Sequence, residues 1–232
     1  MINTNIPVNN ETKQEDSTVE NTEKQPNEKS GIYVRGHIKI FDPESGEVYI
    51  DKPNAIHYEN FSQALASAVA NTQQNYIYEM VFGNGGTSVD TTGVITYLPT
   101  NTVGQNTNLY NPTYSKIVDS TSVSNLDPVN NNMTVSHIPG KVYTDILVSC
   151  LLDYGEPSGQ AAFDNSQNLN GEYVFDELGL RACSTDGTVG ILSTGLLLTH
   201  VVFHPVQKSL NRLIQIDYTV RIQTLTNLSS TG

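Results

Sequence analysis

"LNRLIQIDYTVRIQTL", residues 210–225, is the stretch on which the fold turns. Ile214, Ile216, Tyr218, Val220 and Ile222 alternate without a break against Gln215, Asp217, Thr219, Arg221 and Gln223. A period of two puts the bulky set on one face of an extended chain. The segment therefore predicts a long strand with one face in a core and the other in water or against a partner.

Similar β signals recur upstream: GIYVRGHIKIF with its apolar set Ile32, Val34, Ile38 and Ile40, then 94–99, 113–119, 133–138, 142–152, 173–180 and 196–203. DPESGE (42–47) supplies the turn of a hairpin whose return strand begins at Val48. One helix is expected over about residues 60–71, with Asn60 and Gln63 spaced as a capping box and Phe61, Leu65, Ala68, Val69 and Thr72 as its apolar face. Many strands, one short-to-medium helix and Asn/Gly/Pro-rich loops predict a mainly β protein, an antiparallel β-sandwich. No internal repeat or second linker divides it, so residues 31–232 are expected to form a single domain.

Residues 1–30 read differently. They hold almost no large apolar side chains, and their six acids against three lysines give a net −3. Such a segment cannot bury enough surface to offset its chain entropy, which predicts an extended polar arm, disordered or ordered by a partner. The N-terminus lacks the apolar stretch of a secretory signal, and GILSTGLLLTHVVF (190–203) is too short to span a bilayer, so a soluble protein without membrane contact is expected. The whole chain of 232 residues carries a formal charge of −12 with only 12 Lys and Arg, scattered, which argues against nucleic acid.

No motif for chemistry survives its context. Gly83-Asn84-Gly85-Gly86 could open a phosphate loop, but Thr87, Ser88, Val89 and Asp90 offer no helix start and no Gly-Lys-Ser/Thr follows. A turn with positive φ angles is the expectation there. His200 and His204 have a helical zinc-ligand spacing inside a strand, while His37, His57 and His137 stand alone, so no metal site is expected. Ser166, Asn168, Asn170, Gly171 and Glu177 mimic five positions of an EF-hand loop, without its first carboxylate or its second helix. Asp176 and Glu177 are adjacent and should point to opposite faces, and no nucleophile-base pattern or GxSxG elbow is present. Cys150 shares the parity of Ile146, Val148 and Leu152, and is expected to be a buried thiol, with neither it nor Cys183 in a disulfide. The chain is thus read as non-enzymatic, with no catalytic residue and no cofactor.

Three stretches taken in order carry a resemblance: YIYEMVFGNGGT, then YTDILVSCLLDYGE, then YVFDELGLRACSTDGT followed by LLLTHVVFHPVQKSLNRLIQIDYTVRIQ. Over about residues 76–223 they resemble the N-terminal attachment domain of tailed-bacteriophage tail-fibre and tail-collar proteins. The corresponding positions are Gly83, Gly85 and Gly86, then Glu177, Leu178, Gly179 and Leu180 with Asp186 and Gly187, then Pro205, Lys208 and the strand from Leu213 to Ile222. The resemblance implies a virion structural protein, assembled in the host cytoplasm, that docks onto other virion proteins and onto copies of itself. Unlike the fibres, this sequence has no long repetitive shaft after the closing strand, which favours a neck, collar, baseplate or fibre-attachment adaptor. The alternatives are a receptor- or carbohydrate-binding module, for which Tyr97, Tyr110, Tyr114 and Tyr154 would supply stacking surfaces, and a capsid-surface decoration protein. No partner-binding residues follow from the sequence.

Overall fold

The computed structural model describes residues 30–72, 75–157, 172–183 and 195–226, so the expected N-terminal arm lies outside the described residues. In chain order its strands are β1 (Ser30–Phe41), β2 (Val48–Ile56), β3 (Ile77–Gly83), β4 (Thr87–Val89), β5 (Ile95–Tyr97), β6 (Pro112–Ile117), β7 (Asn132–His137), β8 (Tyr143–Leu152), β9 (Glu172–Ala182), β10 (Thr199–Ser209) and β11 (Ile214–Thr226). The helix α1 spans Tyr58–Ala70.

The alternation of the closing segment is realised as expected. Ile214, Ile216, Tyr218 and Val220 are all fully buried, and β11 lies antiparallel to β8 with Ile216 opposite Cys150 and Tyr218 opposite Val148. Nine strands join in one sheet in the order β6-β3-β9-β10-β2-β1-β11-β8-β7, with β4 and β5 as a separate ribbon. The mainly β, antiparallel reading holds, and its layering takes the form of one long sheet curled on itself. Lys116 on the first strand of that order reaches the Leu151 carbonyl on the eighth, 2.7 Å away, so the two ends of the sheet come together around the core.

The hairpin at 42–47 forms as expected. Asp42 Oδ1 accepts the N–H groups of Glu44 and Ser45, and Gly46 takes φ 76°. The helix departs from its expected detail. His57, not Asn60, caps it, with Nδ1 accepting the Asn60 N–H at 3.2 Å, and Asn60 instead lies buried in the first turn. The buried stripe is Asn60, Phe61, Ala64 and Ser67, leaving Ala68, Val69 and Thr72 exposed. The stripe is rotated because Asn60 donates to the Leu197 carbonyl at 2.9 Å and pins that side of the first turn to the sheet.

Most buried apolar residues form a single cluster inside the curl, from Val34 and Ile38 through Met80, Phe82, Phe175 and Phe203 to Val220. A second, small cluster of Val81, Leu109 and Leu197 lies apart from it. All seven residues of β3 are buried, so this strand is covered on both faces. The second cover is the irregular segment 98–111, and its attachment defines the site below.

Candidate functional site

The glycines after β3 are there for space. A Cβ on Gly83 would lie 2.6 Å from the Asn111 carbonyl oxygen and 2.6 Å from Glu177 Oε1. On Gly85 it would meet Asn111 N at 2.8 Å, and on Gly86 the Val202 side chain at 2.9 Å. None of the three has positive φ. That conformation is found at Gly46, Gly93, Gly104, Gly140 and Gly155, which corrects the expected turn. The chain leaves β3 pressed against β9 and β10, and only a residue without a side chain fits.

Asp176 and Glu177 hold that crossing. Tyr173 and Phe175 belong to the core, and so do Leu178, Leu180 and Ala182, so the core-facing parity of β9 changes between 175 and 178. Through this step the two adjacent acids both reach the glycine loop, correcting the expectation that they diverge. Asp176 accepts the Gly86 and Thr87 N–H groups at 2.9 and 2.8 Å, and the Thr87 hydroxyl as well. Glu177 Oε1 accepts from Gly85 N at 3.0 Å and Asn111 N at 2.8 Å, while Oε2 accepts from Tyr110 N and His200 Nε2, both at 3.0 Å. His200 Nδ1 accepts the Asn101 N–H at 2.7 Å, which places the ring proton on Nε2, facing Glu177.

Burial pushes the Glu177 carboxyl up, but the His200 donor and the three backbone N–H groups outweigh it and leave the group below its ordinary range. For Asp176 burial prevails over Thr87 and Gly86, and its carboxyl is held above the ordinary range.

The same buried layer fastens the rest of 98–111. His57 Nε2 meets the Gly104 carbonyl at 3.0 Å, Asn60 donates to the Gln105 carbonyl at 3.2 Å, and Arg181 donates to Asn108 Oδ1 at 2.5 Å. Arg181 also pairs with Glu79 at 3.2 Å, both side chains being buried. A second polar group gathers where the sheet ends meet. Lys208 Nζ donates to the carbonyls of Asp153 and Ser209, each at 2.9 Å, and Lys116 pairs with Glu156 at 2.5 Å. Burial lowers the Lys208 ammonium to about 8.

These groups act on the backbone of loops. Both oxygens of Glu177 and both ring nitrogens of His200 are engaged, so the arrangement serves as a clamp. His204, four residues from His200 on β10, is exposed and lies 3.3 Å from the Tyr97 hydroxyl. His37 pairs with Asp51 at the surface, and His137 meets Thr144. Among the described residues no group of three or more His, Cys, Asp or Glu is placed to hold a metal ion. Ser166, Asn168, Asn170 and Gly171 lie outside the described residues, as do Asp186 and Gly187. Cys150 is fully buried and its thiol is pushed up to about 12 by burial; Cys183 is buried too, and neither forms a disulfide. Of the four tyrosines, Tyr114 packs inward against Phe82 and Tyr173, while the Tyr110 hydroxyl donates to the Pro99 carbonyl and the Tyr154 hydroxyl to Glu44.

One feature escaped sequence reasoning altogether. In the loop between β6 and β7, Val123, Leu126 and Val129 are 100%, 96% and 81% exposed. The loop is nevertheless well braced. Asp119 caps Thr121, Asn125 Nδ2 donates to the carbonyls of Asp119 and Asn131 at 3.1 and 2.8 Å, Asn131 N bonds the Asp127 carbonyl, and the Ser122 hydroxyl lies 3.0 Å from that of Tyr78. A spacing of three in a polar segment carries no strand or helix signal, which is why it passed as ordinary loop.

No family model, curated protein or solved structure matches the chain. Among the described residues no helix is long and apolar enough to cross a membrane.

Proposed function

We propose that this protein is a non-enzymatic structural component of a tailed-phage particle, a neck, collar, baseplate or fibre-attachment adaptor, working by docking onto neighbouring virion proteins. The observation that carries the reading is the braced loop presenting Val123, Leu126 and Val129 to solvent. Scattered exposed aliphatics are ordinary, but three within seven residues on an internally bonded loop make a preorganised apolar contact. The loop carries Asp119 and Asp127 and has no Lys or Arg between 117 and 140, so it suits a protein pocket better than an anionic membrane. The buried ionisable groups support the same reading, since they are spent on positioning loops. The motif residues behind the phage resemblance also meet in space, with Glu177 bonded to Gly85.

The test is co-expression of the Val123→Asp, Leu126→Asp double variant with the other virion proteins of its source. Incorporation into particles is expected to fall at least tenfold while the circular dichroism spectrum and melting temperature of the purified variant stay unchanged. Incorporation at the wild-type level would overturn the reading.

A further inference from the structure

The two edges of the nine-stranded sheet are built differently. β6 begins at Pro112, sends Lys116 to Glu156 and to the Leu151 carbonyl, and is half-buried along its whole length. β7 has none of the devices that guard an edge: it contains no proline, lysine or other ionisable side chain apart from His137, and its ladder with β8 is regular from Asn132 to His137. Thr134, Val135, Ser136 and His137 are exposed, Val135 to 72%. Beyond the β8 ladder no strand or loop among the described residues bonds to its backbone.

A second observation falls on the same edge. Beside it, between α1 and the inner face of the sheet, lies an apolar groove of about 240 Å³ lined by Phe61, Leu65, Tyr76, Met133, Val135 and Ile222. Open main-chain groups call for a strand, and a groove alongside takes alternate side chains of that strand.

We infer that β7 is a self-pairing edge: a second copy of this chain adds its own β7 antiparallel to the first, across a two-fold axis at Thr134. This rests on the assembly reading above and specifies one contact within it. A two-fold axis normal to the sheet requires a residue to face itself, because directly opposed residues share a face. With Thr134 opposite the partner's Thr134, Met133 faces the partner's Val135 and Asn132 faces the partner's Ser136. Aliphatic side chains then meet on the groove side and hydroxyls on the other, both favourable cross-strand pairs. The strand carries no Asp or Glu, so two copies of a chain with formal charge −12 meet there without acids in opposition.

Sedimentation equilibrium on the purified chain tests this. The wild type is expected to be a dimer, and Val135→Lys, which places a guarding charge on an exposed position, to weaken dimerisation at least tenfold with an unchanged melting temperature. Thr134→Cys is expected to give a covalent dimer on mild oxidation. A wild type that stays monomeric at the highest concentration it tolerates would overturn the inference. So would a Val135→Lys variant as dimeric as the wild type, or a Thr134→Cys variant that does not cross-link within a dimeric wild-type background. The two readings separate cleanly: a β7 dimer that is never incorporated into particles sinks the virion assignment alone, and an incorporated monomer sinks the seam alone.

Discussion

The two halves of the sheet reach the same secondary structure by different means. In the half built from β1, β11, β8 and β7, apolar and polar residues alternate and one face makes the core, as in Ile214 to Val220. In the half built from β3, β9 and β10 both faces are covered, and the second cover is held by buried ionisable and amide groups, Glu177, His200, Arg181, His57 and Asn60 among them. The first half tolerates approximate packing, because hydrophobic burial is non-directional. The second depends on individual donors and acceptors whose loss leaves a buried group unsatisfied.

That difference can be broken most sharply at Glu177. Glu177→Gln keeps the shape but replaces an acceptor oxygen by an amide NH2 facing N–H groups, and it should cost about 3 kcal/mol, since buried donors that lose their acceptor cost about 1–3 kcal/mol each, read by urea unfolding. The folded-state carboxyl is held low, so its stabilisation is present above the ordinary carboxylate range and is lost as pH falls through the folded value. The gap between wild type and variant should accordingly shrink in acid, and a gap independent of pH would mean that the clamp acts by shape alone.

Lys208 sharpens the comparison where the sheet ends meet. Its folded-state ammonium is lowered to about 8 by burial, so the unfolded chain binds the extra proton above that pH. Stability of the wild type relative to Lys208→Met should rise with pH from about 8 toward the ordinary lysine range, with a slope of at most about 1.4 kcal/mol per pH unit. A flat difference would show the ammonium to be solvated. The smallest effect belongs to the alternating half: Ile216→Val removes one methylene from a fully buried site and should cost about 1 kcal/mol. A loss as large as that of Glu177→Gln would erase the contrast.

Legibility in the sequence follows the same line. Ile214 to Ile222 announced β11 and its buried face, because periodicity is a local property that the core merely ratifies. Glu79 amid YIYEMVF and Arg181 in LGLRAC stand out as charges in apolar runs, yet their partners lie 102 residues apart and no spacing rule connects them. The glycines of 83–86 were visible, but the reason for them was not, since a turn and a close approach demand the same residue. The shift in the helix stripe likewise came from one tertiary bond at Asn60. The exposed loop at Val123, Leu126 and Val129 could be found only by seeing that nothing among the described residues covers it.

The strap over residues 98–111 also constrains the order of events at the ribosome. Tyr110 waits for Glu177, 67 residues further on, and Asn101 for His200, 99 residues further on. Until those partners have been translated, Val81 and Leu109 have only part of their cover, because Leu197 of the same cluster is also yet to come. The nascent chain therefore carries an open apolar patch through much of its synthesis, and the outer layer is sealed only as the C-terminal strands emerge.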